Sequence, residues 1–175
     1  MGRVLCLVMS YVFGLFQTGY LYGKMNHIDI RNYGSGNSGT TNALRVLGKK
    51  AGLIVFAGDF LKTVFACLAA RIIFKASPDT DLYVLYAGLG VVFGHNFPCY
   101  LHFKGGKGIA SMAGILVSMD WRVTLVCAAL FLGAVIITRY VSLGSILVVI
   151  SFFIQMLIYG SRGDYRVSEG SLMEF

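Results

Sequence analysis

The sequence predicts an all-α fold, a polytopic integral membrane bundle of about six membrane helices, one of them short or re-entrant. Hydrophobic residues make up 57% of the 175-residue chain and charged residues 13%, at a mean hydropathy of +0.73. A soluble domain of that composition would lack the polar surface to cover itself. Apolar runs near the length of a bilayer crossing recur along the chain, and the polar residues gather in a few clusters between them. Residues 1–175 read as a single membrane domain.

The elements follow in order. Val4 to Gly23 is an uncharged run long enough to span, and no small-residue cleavage site of a secretory signal follows it. Asp29 to Lys50 is polar, with a short amphipathic helix expected from Thr41 to Leu47. Ala51 to Ala70 is a second span holding Asp59 and Lys62, which share a helix face. Either charge alone would cost roughly 2.5 to 3.5 kcal/mol at mid-membrane. The pair reads mainly as a mutual salt bridge, with the wall of a polar cavity as the functional alternative. Arg71 to Asp81 is a short connection turning at Ser77-Pro78-Asp79.

Leu82 to Leu101 is a third span, interrupted by Gly94-His95-Asn96-Phe97-Pro98. Pro98 has no backbone donor, so the helix ends or kinks there and frees carbonyls near His95. His95 is a candidate base or phosphate partner, or else a helix-end histidine bonded to a carbonyl. Ile109 to Met119 reaches only about 16 Å, half a hydrocarbon core, which makes it the short element. Trp121 and Arg122 anchor the next span, Val123 to Thr138, and Val141 to Tyr159 follows after a tight Arg139-Tyr140 connection. The tail from Gly160 to Phe175 is polar.

Two clusters have the chemistry of anion sites. In the first, Gly34, Gly36 and Gly39 let successive amides turn into one concavity. Ser35, Asn37, Thr40, Thr41 and Asn42 add neutral donors, and Arg31, Arg45, Lys49 and Lys50 add charge. The second, His102-Phe103-Lys104-Gly105-Gly106-Lys107-Gly108, precedes the short helix, whose amino end would face an anion beside two lysines. The bland alternatives are a solvated loop whose cations set topology and lysines that anchor a helix at the surface. The latter leaves three glycines in four positions without a purpose.

Lys and Arg number 15 against 8 acids, but no aromatic-basic pattern indicates nucleic acid. Cys6, Cys67, Cys99 and Cys127 stand singly in or beside apolar runs and carry no redox or metal signature. Gly34 to Gly39 satisfies G-x-G-x-x-G but follows a membrane helix, and Gly106-Lys107 lacks the hydroxyl residue and first glycine of a P-loop. Hydrolase and metal-ligand motifs are missing, so neither metal nor cofactor is expected.

Four motifs in order, S-G-N-x-G-x-T-N-x-x-R from Ser35 to Arg45, G-H-x-x-P from Gly94 to Pro98, F-K-G-G-K-G from Phe103 to Gly108 and R-Y-V-S from Arg139 to Ser142, resemble the bacterial acyl-phosphate glycerol-3-phosphate acyltransferases, the PlsY type. The resemblance runs from about Tyr11 to about Ser151. It implies an enzyme that moves a fatty acyl group from acyl phosphate to the 1-hydroxyl of glycerol 3-phosphate, giving lysophosphatidic acid and phosphate in phospholipid synthesis. It also implies a multi-pass protein of a bacterial plasma membrane with the active site facing the cytoplasm, lipid as its surroundings and no obligatory protein partner. Carried over by position, Ser35, Gly36, Asn37, Thr41, Asn42 and Arg45 belong to a first substrate loop, to which the residue-level reading adds Gly39. His95, Lys104, Gly105, Gly106 and Lys107 belong to a second, to which that reading adds Gly108, and Ser142 lies near the polar head group. Thr40 stands where many relatives have alanine. The family usually continues through a seventh helix to a motif with His, Asn and Arg, so the chain as given is expected to be truncated at its C-terminal end.

The expected roles are catalytic for Ser35, His95 and Lys104. Lys104, Lys107 and Arg45 hold the phosphates, amides from Ser35 to Asn37 meet the leaving group or oxyanion, and His95 or a substrate phosphate takes the hydroxyl proton. Loop cations put the first loop, Lys104, Lys107 and Arg139 inside, and the amino terminus and tail outside. A small transporter of an organic phosphate remains the rival reading, and a structural membrane subunit would leave the polar motifs unexplained.

Overall fold

The computed structural model describes residues 1–168, and every regular element among them is helical. In order they are α1 (Gly2–Gly14), α2 (Thr18–Met25), α3 (Thr40–Ile73), α4 (Thr80–Asn96), α5 (Ile109–Met119), α6 (Trp121–Thr138) and α7 (Val141–Ser161), with 3-10 turns at Ile30–Asn32 and Cys99–Leu101. Five stretches are long and apolar enough to cross a membrane, and α5 is the short one. Of the polar tail, residues 169–175 lie outside the described residues.

The first span differs from expectation: it is two helices, α1 and α2, broken at Leu15–Gln17. No glycine or proline inside the break causes it. Fully buried Gln17 instead donates through Nε2 to the carbonyls of Gly14 (3.2 Å), Gly94 (3.3 Å) and His95 (2.9 Å). One side chain thus satisfies carbonyls at the ends of both α1 and α4, which apolar surroundings would leave costly. The helix therefore stops where a distant partner needs it to stop.

α1 packs more extensively on α4 than any other pair of helices packs together. Small residues permit this: a Cβ on Gly90 would fall on the Leu7 carbonyl, and one on Gly94 on the Tyr11 carbonyl. Close backbone approach is the usual driving contact between helices where lipid removes the hydrophobic incentive.

The expected amphipathic helix and second span are the two arms of α3, joined at a sharp bend where Gly48 leaves the helical conformation (φ 87°, ψ −177°). No L-residue adopts that conformation readily, and Gly48 has open space around it. The bend folds residues 40–47 back until Gly52 has no room for a side chain beside Leu44.

α4 ends at Asn96 and buried Pro98 follows, as the interrupted third span requires. α6 and α7 pack on each other and join the rest through α5. At the bundle end away from the glycine-rich turns, Arg71 bonds Asp81 (2.8 Å) and the Ser118 carbonyl (2.9 Å), and Arg122 bridges Asp120 and Asp164.

Candidate active site

Asn42 is the hub of the first loop. Fully buried in the first turn of α3, it accepts from the Ser35 amide through Oδ1 (2.8 Å) and donates through Nδ2 to the carbonyls of Ile30 (3.0 Å), Tyr33 (3.1 Å) and Asn37 (2.8 Å). An apolar base of Ile30, Ala43 and Val55 lies beneath. Asn37 closes the tip by accepting from the Gly39 amide (2.9 Å) and donating to Ser35 Oγ (2.9 Å). The loop is shaped by its own amides, which leaves Ser35, Thr41 and Arg45 on its outer side.

The second turn is sewn to the end of α4, where the freed carbonyls find takers. Gly106 N donates to the His95 carbonyl and Gly105 N to the Asn96 carbonyl, each at 3.1 Å. His102 and Phe103 both adopt left-handed φ (55° and 58°), a costly local state that the surrounding bonds maintain. Gly108, also left-handed, caps α5.

Arg31, expected to contribute charge to an anion, instead fastens the two loops together. It forms a fork with Asp29 (Nε–Oδ1 3.0 Å, Nη2–Oδ2 2.7 Å), reaches the carbonyls of Leu101 (3.3 Å) and Lys104 (3.5 Å), and lies over the Tyr20 ring. Its hydrogen bond holds the Asp29 carboxyl below the ordinary carboxylate range. A depressed folded-state value means the fastening is complete at neutral pH and is lost only as acidification protonates Asp29, below that range.

Behind the loops lies a buried polar chain. Lys62 Nζ donates to the Phe16 carbonyl (2.6 Å), Asp59 Oδ1 (2.9 Å) and His95 Nδ1 (2.9 Å), with the Gly14 carbonyl at 3.4 Å. Thr18 Oγ1 also donates to Asp59 Oδ1 (3.1 Å). An ammonium has three hydrogens, and the three short contacts use them all. With Lys62 charged, His95 Nδ1 accepts from it, and the ring's Nε2 edge lies against Gly106 of the second turn. Ser38 Oγ donates to Gln17 Oε1 (2.9 Å), tying the first loop to the same node.

These parts enclose one cavity of about 510 Å³. Of the residues singled out from the sequence, Ser35, Asn37, Gly39, Thr41, Arg45, His95, Lys107, Gly108 and Ser142 line it. Gly36, Gly105 and Gly106 shape the turns behind it without lining it, and Asn42, expected to hold substrate, is spent wholly on the loop. Lys104 also stands off the wall, its exposed side chain on the outer rim of the second turn.

Other lining residues belong to features read from the sequence without a substrate role. Arg139 and Tyr140 enter from the α6–α7 connection, Arg139 in the left-handed conformation (φ 62°), and Asp59 lies at the wall beside His95. The Asp59–Lys62 pair is thus a salt bridge whose carboxylate residue lies on the cavity wall. Arg45, Lys107 and Arg139 supply three cations, while the paired arginines 31, 71 and 122 stay off the wall. Phe56, Ile109 and Phe131 also line a second, apolar cavity of about 290 Å³ walled by α3, α5, α6 and α7.

The glycerol-3-phosphate acyltransferase family model matches residues 4–173. The chain belongs to the glycerol-3-phosphate acyltransferase family. A glycerol-3-phosphate acyltransferase of Clostridioides difficile is 45% identical over 148 residues, covering 82% of this chain and 71% of that protein. One of Thermoanaerobacter sp. is 41% identical over 160 residues, covering 91% and 78%. Among solved structures, the glycerol 3-phosphate form of PlsY, an integral membrane glycerol 3-phosphate acyltransferase, superposes with a TM-score of 0.82 at 37% identity, over 91% of this chain and 78% of that one. The lysophosphatidic acid form gives 0.79 at 36%. This acyltransferase is accordingly an all-helical, multi-pass membrane enzyme, and the family's four motifs are the segments that meet around the larger cavity or hold its walls.

Proposed function

We propose that the cavity holds acyl phosphate and glycerol 3-phosphate side by side and transfers the acyl group to the 1-hydroxyl, releasing phosphate and lysophosphatidic acid. The observation that carries this reading is the meeting of both glycine-bearing turns on one cavity with three cations, where it adjoins an apolar chamber. Two phosphate groups need concentrated positive charge; a fatty chain needs the chamber. An acyl phosphate already has a good leaving group, so positioning and charge stabilisation suffice, without a covalent enzyme intermediate.

In this reading Arg45, Lys107 and Arg139 bind the phosphates, and Ser35, Thr40, Thr41 and Ser142 add neutral donors. His95 stands at the cavity wall beside the second turn, and the departing phosphate ends with the hydroxyl's proton. Lys104, exposed three residues before Lys107, adds a further cation to the second turn. The excess of cations in these loops favours a site on the cytoplasmic face of a bacterial plasma membrane, with the chain acting as one membrane domain. Family membership favours transfer over transport.

Protein purified in lipid, given palmitoyl phosphate and glycerol 3-phosphate, is expected to release phosphate and form lysophosphatidic acid in equal amounts. Uptake of labelled anion into sealed vesicles without product would overturn the reading. Lys107→Ala and Lys104→Ala should each lower kcat/KM by about ten- to a hundredfold, the worth of one charge-assisted hydrogen bond. Near-normal turnover in either variant refutes that lysine's role.

A further inference from the structure

Asp59 is the one carboxylate among the residues lining the cavity. It is 1% exposed. Its Oδ1 takes both Thr18 and Lys62, whereas Oδ2 is buried with no hydrogen-bond partner among the described residues. A charged acceptor left unsatisfied in a low-dielectric interior is costly. Folding alone does not require it: the pair with Lys62 is satisfied through Oδ1 only. The other polar side chains around the cavity, from Ser35 to Arg139, are cations or groups able to donate. Such a lining holds phosphate well but cannot choose between the two ends of a phosphorylated alcohol.

We infer that Asp59 Oδ2 receives the acceptor's terminal hydroxyl, and so fixes which end of the phosphomonoester enters the cavity. A dianionic phosphate has no hydrogen to give and is repelled by the carboxylate; an alcohol donates. The acceptor therefore sits with its phosphate toward Arg45, Lys107 and Arg139 and its hydroxyl against Asp59, close to where Phe56, Ile109 and Phe131 lead into the apolar chamber. Lys62 neutralises the carboxylate without occupying Oδ2, and Thr18 fixes its rotamer. This inference rests on the proposed acyl transfer to glycerol 3-phosphate.

The test is binding discrimination in lipid nanodiscs between glycerol 3-phosphate and 2-hydroxypropyl phosphate, which lacks only the terminal hydroxyl. Wild type should prefer the former by about tenfold or more. The double variant Asp59→Leu with Lys62→Met replaces the buried pair by apolar residues of similar size, an exchange that folds commonly tolerate. In it the preference should fall below about threefold, with affinity for inorganic phosphate unchanged within about twofold. A merely structural role would weaken both ligands alike and leave their ratio intact. If the double variant does not fold, Asp59→Asn takes its place, with at least a threefold drop in the ratio expected by the same reasoning. A ratio that survives substitution, or a wild-type ratio near one, overturns the inference. Lysophosphatidic acid made by wild type in the same preparation separates that outcome from failure of the acyl-transfer reading, which would show as no product at all.

Discussion

Gly106→Ala is expected to abolish acyl transfer, lowering kcat by at least about a hundredfold, while circular dichroism shows unchanged helix content. A Cβ at this position would land on Nε2 of the His95 ring. Neither side can yield cheaply. The imidazole is 2% exposed and held by Lys62, and the Gly106 amide is bonded to the His95 carbonyl. Overpacking costs of about 1–3 kcal/mol would be relieved by displacing the second turn, which carries Lys107 on the cavity wall. Gly133→Ala is the control, since its added methyl meets nothing within 4 Å. Equal activity of the two variants would show that the turn tolerates displacement and that its position is not decisive.

Asn42→Asp should lose activity to a similar extent, with the first loop becoming sensitive to protease. The change preserves shape and the acceptor for the Ser35 amide but removes both Nδ2 hydrogens, leaving the Ile30, Tyr33 and Asn37 carbonyls without their donor. Buried carbonyls so orphaned cost about 1–3 kcal/mol each, and the new carboxylate would face them at close range. Limited proteolysis between residues 30 and 40, compared with wild type, reads the loop directly. An intact loop with normal turnover would refute the hub role of Asn42.

Hydropathy and length made the spans readable, and Pro98 made one of their boundaries readable, because these signals are local; the bend at Gly48 was not anticipated. The break in the first span was not, since Leu15-Phe16-Gln17 contains no breaker and the cause is a side chain that serves carbonyls nearly eighty residues away. Asp59 and Lys62 were legible as a pair from their spacing, but their junction with His95 exists only in three dimensions. The residue types of the first loop suggested anion chemistry. They did not reveal that Asn42 and Arg31 bind protein rather than substrate, because the same donors suit either partner. Arg139 was read as a cation of a tight connection, and its place on the cavity wall, from a left-handed backbone position, emerges only in the folded chain.

The apolar chamber has a flank formed by Phe56, Val117 and Leu132, each more than a third exposed on the bundle's outer surface. That surface is where hydrocarbon lies. A fatty donor would thus slip in sideways from the leaflet and its lysolipid product leave the same way, neither passing through water. The enzyme's working concentration of donor is then a mole fraction within the bilayer, so added inert lipid should slow it by dilution even when the bulk amounts of protein and substrate stay fixed.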